Sequence, residues 1–188
     1  MRPLPIATAD ASAGEALDVS TIFHRHGADI ERWAARIGGP LVDAEDVAQE
    51  VLLVVHRRLC DFRPDAKLST WLYKITENIA TTRRRRERFR RWVRGLPLDY
   101  MSEIPRDGPS VVEQMEQLEA RAEVYAALDQ LSEKYRNTVI LFEIEGLSGQ
   151  EIAALTDTPI DTVWIRLHRG RKHFRQHYEA LLKKAEAS

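Results

Sequence analysis

The sequence predicts an all-α fold: two small helical domains joined by a flexible linker, with a helix-turn-helix in the C-terminal domain. Three observations carry this expectation. Apolar residues recur at helical spacing through most of the 188 residues. No alternating apolar/polar run is long enough for a strand. Gly95, Pro97, Pro105, Gly108 and Pro109 cluster in a stretch without sustained periodicity, which reads as a linker. The predicted organisation is a flexible segment over residues 1–17, a helical bundle over 18–94, an acidic linker over 95–119 and a helix-turn-helix domain over 120–182.

In the N-terminal half, Ile22, Phe23, Ile30, Trp33 and Ile37 suggest one or two helices, ended by Gly38, Gly39 and Pro40. Asp43 is placed to cap a second helix, with Asp46 three positions on as an acidic variant of the capping box. Val47, Val51, Val54, Val55 and Leu59 form its apolar stripe. Pro64 marks a loop. Ser69 or Thr70 is expected to cap a third helix, with Trp71, Leu72, Ile75 and Ile79 on its buried face. A bundle of roughly 80 residues is near the small end of independently stable domains.

After the linker, Val124, Leu128 and Leu131 share a face, and Ser132 is expected to cap a helix carrying Val139, Ile140 and Phe142. Residues 147–155 then read as a short helix, 156–160 as a tight turn, and 161–167 as the start of a second helix. Ile152, Ala153, Ile160, Val163 and Leu167 are the expected shared core of this helix-turn-helix. The second helix continues into Arg166, His168, Arg169, Arg171, Lys172 and Arg175. In DNA-binding examples this helix enters the major groove, where Arg bonds guanine bidentately while flanking cations meet phosphates.

Composition and charge narrow the function. Hydrophobic residues make up 44% and charged residues 30%, values of a folded soluble chain. No apolar run approaches the ~20 residues of a membrane span, and residues 1–13 lack the apolar core of a secretory signal. The single Cys60 excludes an internal disulfide framework, which favours a reducing, cytoplasmic location. Net charge is −1, but its distribution is uneven. Residues 83–94 hold eight arginines against Glu87 alone, with Phe89 and Trp92 interleaved. Phosphate attraction with aromatic stacking is how single-stranded nucleic acid is held, although Phe89 and Trp92 equally suit a core.

An enzyme finds little support. His173 and His177 stand at i, i+4, a spacing able to present two imidazoles to a metal. The zinc-protease acid is missing between them, and arginines flank both. No phosphate-binding loop, nucleophile elbow or dinucleotide glycine pattern is present. No catalytic residue, metal site or cofactor is therefore expected.

Asp43-Ala44-Glu45-Asp46-Val47-Ala48-Gln49-Glu50-Val51, then Asp61-Phe62-Arg63, then Leu68-Ser69-Thr70-Trp71-Leu72-Tyr73-Lys74-Ile75 and Asn78 resemble domain 2 of the extracytoplasmic-function (ECF, group IV) sigma factors of bacterial RNA polymerase. Leu131, the run Val139-Ile140-Leu141-Phe142, Glu145-Gly146-Leu147-Ser148, Glu151-Ile152-Ala153, Thr162-Val163 and Arg166-Leu167-His168-Arg169-Gly170-Arg171-Lys172 resemble their domain 4. The two motif sets stand in the family's order.

The resemblance implies a transcription initiation factor that binds core polymerase, directs it to promoters and assists opening. It implies that Asp43, Glu45, Asp46, Gln49 and Glu50 meet core polymerase at the β′ clamp helices, with further contacts to β. It assigns the −10 element to Phe62, Arg63, Lys67, Ser69, Lys74, Asn78, Arg83 and Arg84, and the −35 element to Thr162, Trp164, Ile165, Arg166, His168, Arg169 and Lys172. Promoter DNA and an anti-sigma factor are the other implied partners, without membrane insertion. In one respect the sequence departs from the family: Trp164 and Ile165 stand where a basic and a small polar residue are usual. Neither side chain makes bidentate guanine contacts, though both can meet a thymine methyl. The competing reading is a two-domain helix-turn-helix regulator acting without sigma activity, which has no use for the N-terminal motif set.

Overall fold

The computed structural model describes residues 18–62, 67–96 and 111–186. Helix α1 (Val19–Gly38) is continuous. Its cap, Asp18, accepts from the Thr21 amide at 2.6 Å, covering one of the N–H groups left over at a helix start. Ile22, Ile30, Trp33, Ala34 and Ile37 are buried at helical spacing. Phe23, expected beside them, is instead 52% exposed.

Gly39 turns the chain with a φ of +66°, a region costly for residues with a Cβ. Helix α2 (Ala44–Arg58) begins as expected at Asp43, whose carboxylate takes the Glu45 and Asp46 amides at 2.9 and 3.2 Å. Val47, Val51 and Val55 are buried, while Val54 and Leu59 are half-buried.

Helix α3 (Leu68–Val93) spans 26 residues, about 39 Å at 1.5 Å per residue. Its N-cap is Lys67, which makes no side-chain cap bond. Ser69 and Thr70 therefore lie inside the first turn rather than capping it. The Thr70 hydroxyl is committed elsewhere, donating to the Ala154 carbonyl at 2.9 Å. Leu72, Tyr73, Thr76, Ile79 and Ala80 face inward, and Trp33 meets Tyr73 edge-to-face at 5.4 Å. α1, α2 and α3 pack on one another as a three-helix bundle.

Helix α4 (Val111–Leu128) starts within the stretch expected as linker. Ser132 occupies the N-cap of α5 (Glu133–Val139), but its hydroxyl makes no cap bond. α5 widens into a π-helical turn at Ile140–Ile144. Before α6 (Gly149–Thr156), Ser148 and Glu151 form a reciprocal capping box, with bonds of 3.2 and 2.8 Å. Asp157 closes α6 in the left-handed conformation (φ 52°, ψ 52°), which Asp tolerates better than most residues. α7 (Ile160–Glu186) follows.

Val163 and Leu167 of α7 are buried with Ile152 and Leu155 of α6. Ile160, also expected in that core, is 37% exposed. It is the first residue of α7 and belongs to the turn. Gly170 lets α7 cross α5 closely: a Cβ there would lie 2.7 Å from Val139 and 3.3 Å from the Tyr135 carbonyl.

The two halves share a core. One apolar cluster runs from Trp33, Val51 and Leu72 to Leu141, Ile152, Leu155 and Val163. A buried polar network crosses the same junction. Arg136, fully buried, donates to Asp129 at 3.1 Å and to the Ile37 carbonyl at 2.7 Å. Burial pulls its guanidinium pKa down to about 10, with Arg84 adding to the shift and Asp129 opposing it. Glu145 accepts from Arg32 and Arg36 of α1 at 2.7 and 3.0 Å.

Candidate polymerase and nucleic-acid interfaces

Along α2, Glu45, Asp46 and Gln49 are exposed and Glu50 is half-buried. All four lie off the Val47–Val51–Val55 stripe, so the acidic face and the buried face of this helix are separate. Asp43 is bound to the helix start. Arg83 of α3 reaches across to this face, 2.7 Å from Glu50 and 3.4 Å from Asp46. That arginine, assigned to −10 DNA, thus sits among the acids assigned to polymerase. At such exposed positions the pairs contribute about 0.2–1 kcal/mol each.

The residues assigned to the −10 element fall into three groups. Phe62 lays its ring against Trp71 at 5.2 Å, Lys67 is exposed and Ser69 is half-buried. Arg63 lies outside the described residues. Lys74 and Asn78 are exposed and four residues apart, hence on one face of α3, and Lys74 pairs with Asp157 at 3.0 Å. Arg84 departs from expectation. It is 1% exposed and buried at the junction, bonded to Asp129 and, at 2.6 and 2.5 Å, to both oxygens of Glu133. Burial needs such pairing, because an unpaired guanidinium there would be strongly destabilising. Beyond it, Phe89 and Trp92 are exposed, their rings 5.9 Å apart, so neither belongs to the core.

On α7, Trp164, Ile165, His168, Arg169 and Lys172 are exposed, while Val163, Leu167 and Gly170 are buried. Thr162 and Arg166 are half-buried, and Arg166 lies 3.4 Å from the Thr158 hydroxyl. Arg169 bonds the Tyr135 phenol, holding its pKa below the usual value, with nearby Lys134 and Arg166 acting the same way. Arg171 is taken by Glu143 at 2.5 Å and lies 5.0 Å from the Phe142 ring centroid. His173 stacks on Tyr135 at 5.9 Å.

Trp164 is 45% exposed yet seated. A Cβ at Gly149 would lie 2.5 Å from its Cζ2, so the indole rests directly on the first residue of α6. It also meets Phe142, edge-on at 5.9 Å. One part of the ring is thus packed and the remainder faces solvent beside Ile165. Sequence reasoning missed Gly149, Asp129, Glu133 and Arg136. Only the Ser148-x-x-Glu151 capping box nearby was readable as a local pattern.

A three-helix bundle with an acidic face is followed by a helix-turn-helix with an exposed basic second helix, the arrangement of a DNA-binding protein with a second docking surface. Residues 22–90 match Sigma-70 region 2 and residues 121–174 match Sigma-70, region 4. The chain is 35% identical over 172 residues to the ECF RNA polymerase sigma factor SigE of Mycolicibacterium smegmatis, covering 91% of this chain and 65% of that one, just under two thirds of its length. It is 32% identical to the ECF RNA polymerase sigma factor SigW of Bacillus subtilis, covering 75% of this chain and 78% of the relative. The structure of CnrH in complex with the cytosolic domain of CnrY is similar with a TM-score of 0.55 and 26% identity, over 86% of this chain and 88% of that one. The fold of the sigma factor RpoE, solved with the anti-sigma factor NepR from Bartonella quintana, matches with a TM-score of 0.54, 22% identity and coverage of 85% and 96%. The chain belongs to the ECF sigma factors, which direct bacterial RNA polymerase to promoters. Among the described residues no helix is long and apolar enough to cross a membrane.

Proposed function

We propose that this chain recruits core RNA polymerase through the acidic face of α2 and has no catalytic activity of its own. The −10 element is read by α3 and the loop before it, and the −35 duplex by α7. Residues 18–94 and 120–182 carry these two roles. The observation that most supports the reading is the division of α7: Trp164, Ile165, His168, Arg169 and Lys172 are exposed along one side of the helix, while Val163, Leu167 and Gly170 are buried. That is the form in which a recognition helix enters a major groove. Promoter opening needs bases taken out of the stack and read on their freed edges, and Lys74 and Asn78 on one face of α3 suit that task. CnrH and RpoE were each solved with a bound partner protein, which supports an anti-sigma partner for this chain in the cytoplasm.

The test is gel filtration with core polymerase, followed by run-off transcription on a library of −35 and −10 sequences. Co-elution and transcripts enriched in a pair of motifs are expected. Duplex binding without co-elution would instead identify a regulator independent of polymerase, a reading that the acidic face of α2 does not favour.

A further inference from the structure

The exposed apolar side chains of α7 gather in its first two turns. Ile160 and Trp164 stand four residues apart and share a face. Ile165 follows, 51% exposed. The helix has a covered side, where Val163 and Leu167 are buried, and these three residues stand outside it. Arg169 and Lys172 continue the exposed side with positive charge. An apolar patch followed by cations matches the major groove, whose walls are phosphates. On its floor the C5-methyl of thymine is the one apolar group that the base edges present.

Trp164 and Ile165 are held differently. The Cε2–Cζ2–Cη2 edge of Trp164 rests against Gly149, within 2.5–3.0 Å of where a Cβ would stand, and its ring meets Phe142. The indole is therefore a fixed wall, and Ile165 stands next to it with about half its surface open. The polar neighbours are directed elsewhere. Arg166 lies 3.4 Å from the Thr158 hydroxyl, and Arg169 bonds the Tyr135 phenol. Asp161, one turn before Ile165, is exposed, but a carboxylate only accepts and adds nothing over the acceptors of guanine.

We propose that Ile165 determines specificity by selecting a thymine through its C5-methyl, and that Trp164 is the positioning residue that walls one side of that contact. Over guanine, Ile165 would strip water from O6 and N7 without replacing its hydrogen bonds. Adenine would lose water at N6 and N7, and cytosine at N4. Over thymine, carbon meets carbon and both surfaces leave water. The inference rests on the assignment of α7 to the −35 duplex and names a base within it.

The experiment uses the full chain bound to core polymerase. Duplexes with a random −35 region and a fixed −10 element are selected by binding. Each thymine of the enriched element is then replaced singly by deoxyuridine, which pairs as thymine does and lacks only the methyl. At one thymine the replacement should raise Kd about fourfold, the value of one buried methyl. At that position 5-methylcytosine should bind about twofold or more better than cytosine. Ile165→Ala should bind the thymine and deoxyuridine duplexes alike. Its fold should be spared, because the side chain lies outside the buried face. Trp164→Ala should reduce the ratio between the two duplexes to below about twofold.

Selective binding in which no thymine depends on its methyl overturns the proposal and leaves the −35 assignment in place. So does a fourfold ratio that survives in Ile165→Ala. An unchanged ratio in Trp164→Ala overturns the positioning role of the indole. Weaker binding of Ile165→Ala to core polymerase, with the duplex ratio unaltered, would make the patch a protein-docking surface and also overturns the proposal. Failure to enrich any −35 sequence would sink the assignment of α7 itself, and this inference with it.

Discussion

Replacing Gly149 by Ala tests where Trp164 sits. The new Cβ would meet three atoms of the indole at 2.5, 2.9 and 3.0 Å, against 3.4–4 Å for ordinary contact. The ring must retreat by about 1 Å. Forced repacking of this kind costs ~1–3 kcal/mol, and the 45% exposure of Trp164 leaves the ring room to swing outward, which favours the low end. Swinging also weakens its edge contact with Phe142, an arrangement worth ~0.5–1.5 kcal/mol. Against this, Ala is favoured over Gly in a helix by up to ~1 kcal/mol, and by less at the first position. The expected net effect of Gly149→Ala is a loss of about 1 kcal/mol, or ~2–4 °C in Tm for a chain of this size. In a Trp164→Ala background the obstacle is gone, and the same substitution should stabilise by a few tenths of a kcal/mol. Urea and thermal melts of the four proteins in this cycle give the coupling directly, expected at ~1–2 kcal/mol. Equal, stabilising effects of Gly149→Ala in both backgrounds would refute the seating and leave Trp164 free for the groove.

Four other outcomes are expected. Charge reversal at Asp46 and Glu50 should weaken binding to core polymerase while leaving far-UV circular dichroism intact, since only exposed pairs with Arg83 are lost, at about 0.2–1 kcal/mol each. Asn78→Ala should reduce transcription unevenly across templates carrying each −10 substitution, because one freed base loses a contact worth ~1–3 kcal/mol; a uniform loss would make Asn78 structural. Arg166→Ala should relax preference at one −35 base pair, whereas Lys172→Ala should weaken all duplexes alike and lower the salt slope by about one. His26 supplies a pH dependence: burial lowers its pKa below 6.5, with Arg25 adding to the shift and Asp29 opposing it. The unfolded chain then takes up the proton first as pH falls through 6.5, so stability is complete above 6.5 and lost progressively below it. Urea melts at pH 7.5, 6.5 and 5.5 should show a shallower loss for His26→Gln than for wild type; identical slopes would mean that His26 is not the group responsible.

The helices and the helix-turn-helix were legible because they rest on local patterns. The valine stripe of α2 and the Asp43 cap each lie within one or two turns of sequence, and the structure keeps both. Arg84 was not legible. Within a run of arginines nothing local distinguishes the one that is buried, and its partners Asp129 and Glu133 are 45 and 49 residues away. Trp164 poses the same difficulty at shorter range, since its seat depends on Gly149 at the start of another helix. Phe23, Phe89 and Trp92 show the converse: an apolar residue in a helix is not thereby in a core. The parts of the candidate site readable in advance were those whose side chains answer to solvent. The parts that answer to the other half of the chain required the fold.

Gly39 joins two requirements at one position. Its φ of +66° ends α1, and a Cβ on it would lie 2.7 Å from the Tyr125 ring of the C-terminal half. A substitution there damages the turn of one module and the seat of the other together. Inherited change at this site thus cannot loosen the grip between the modules while sparing the first of them. Lineages that separate the two properties must do so elsewhere, at residues such as Glu133 whose side chains serve the junction without shaping a turn.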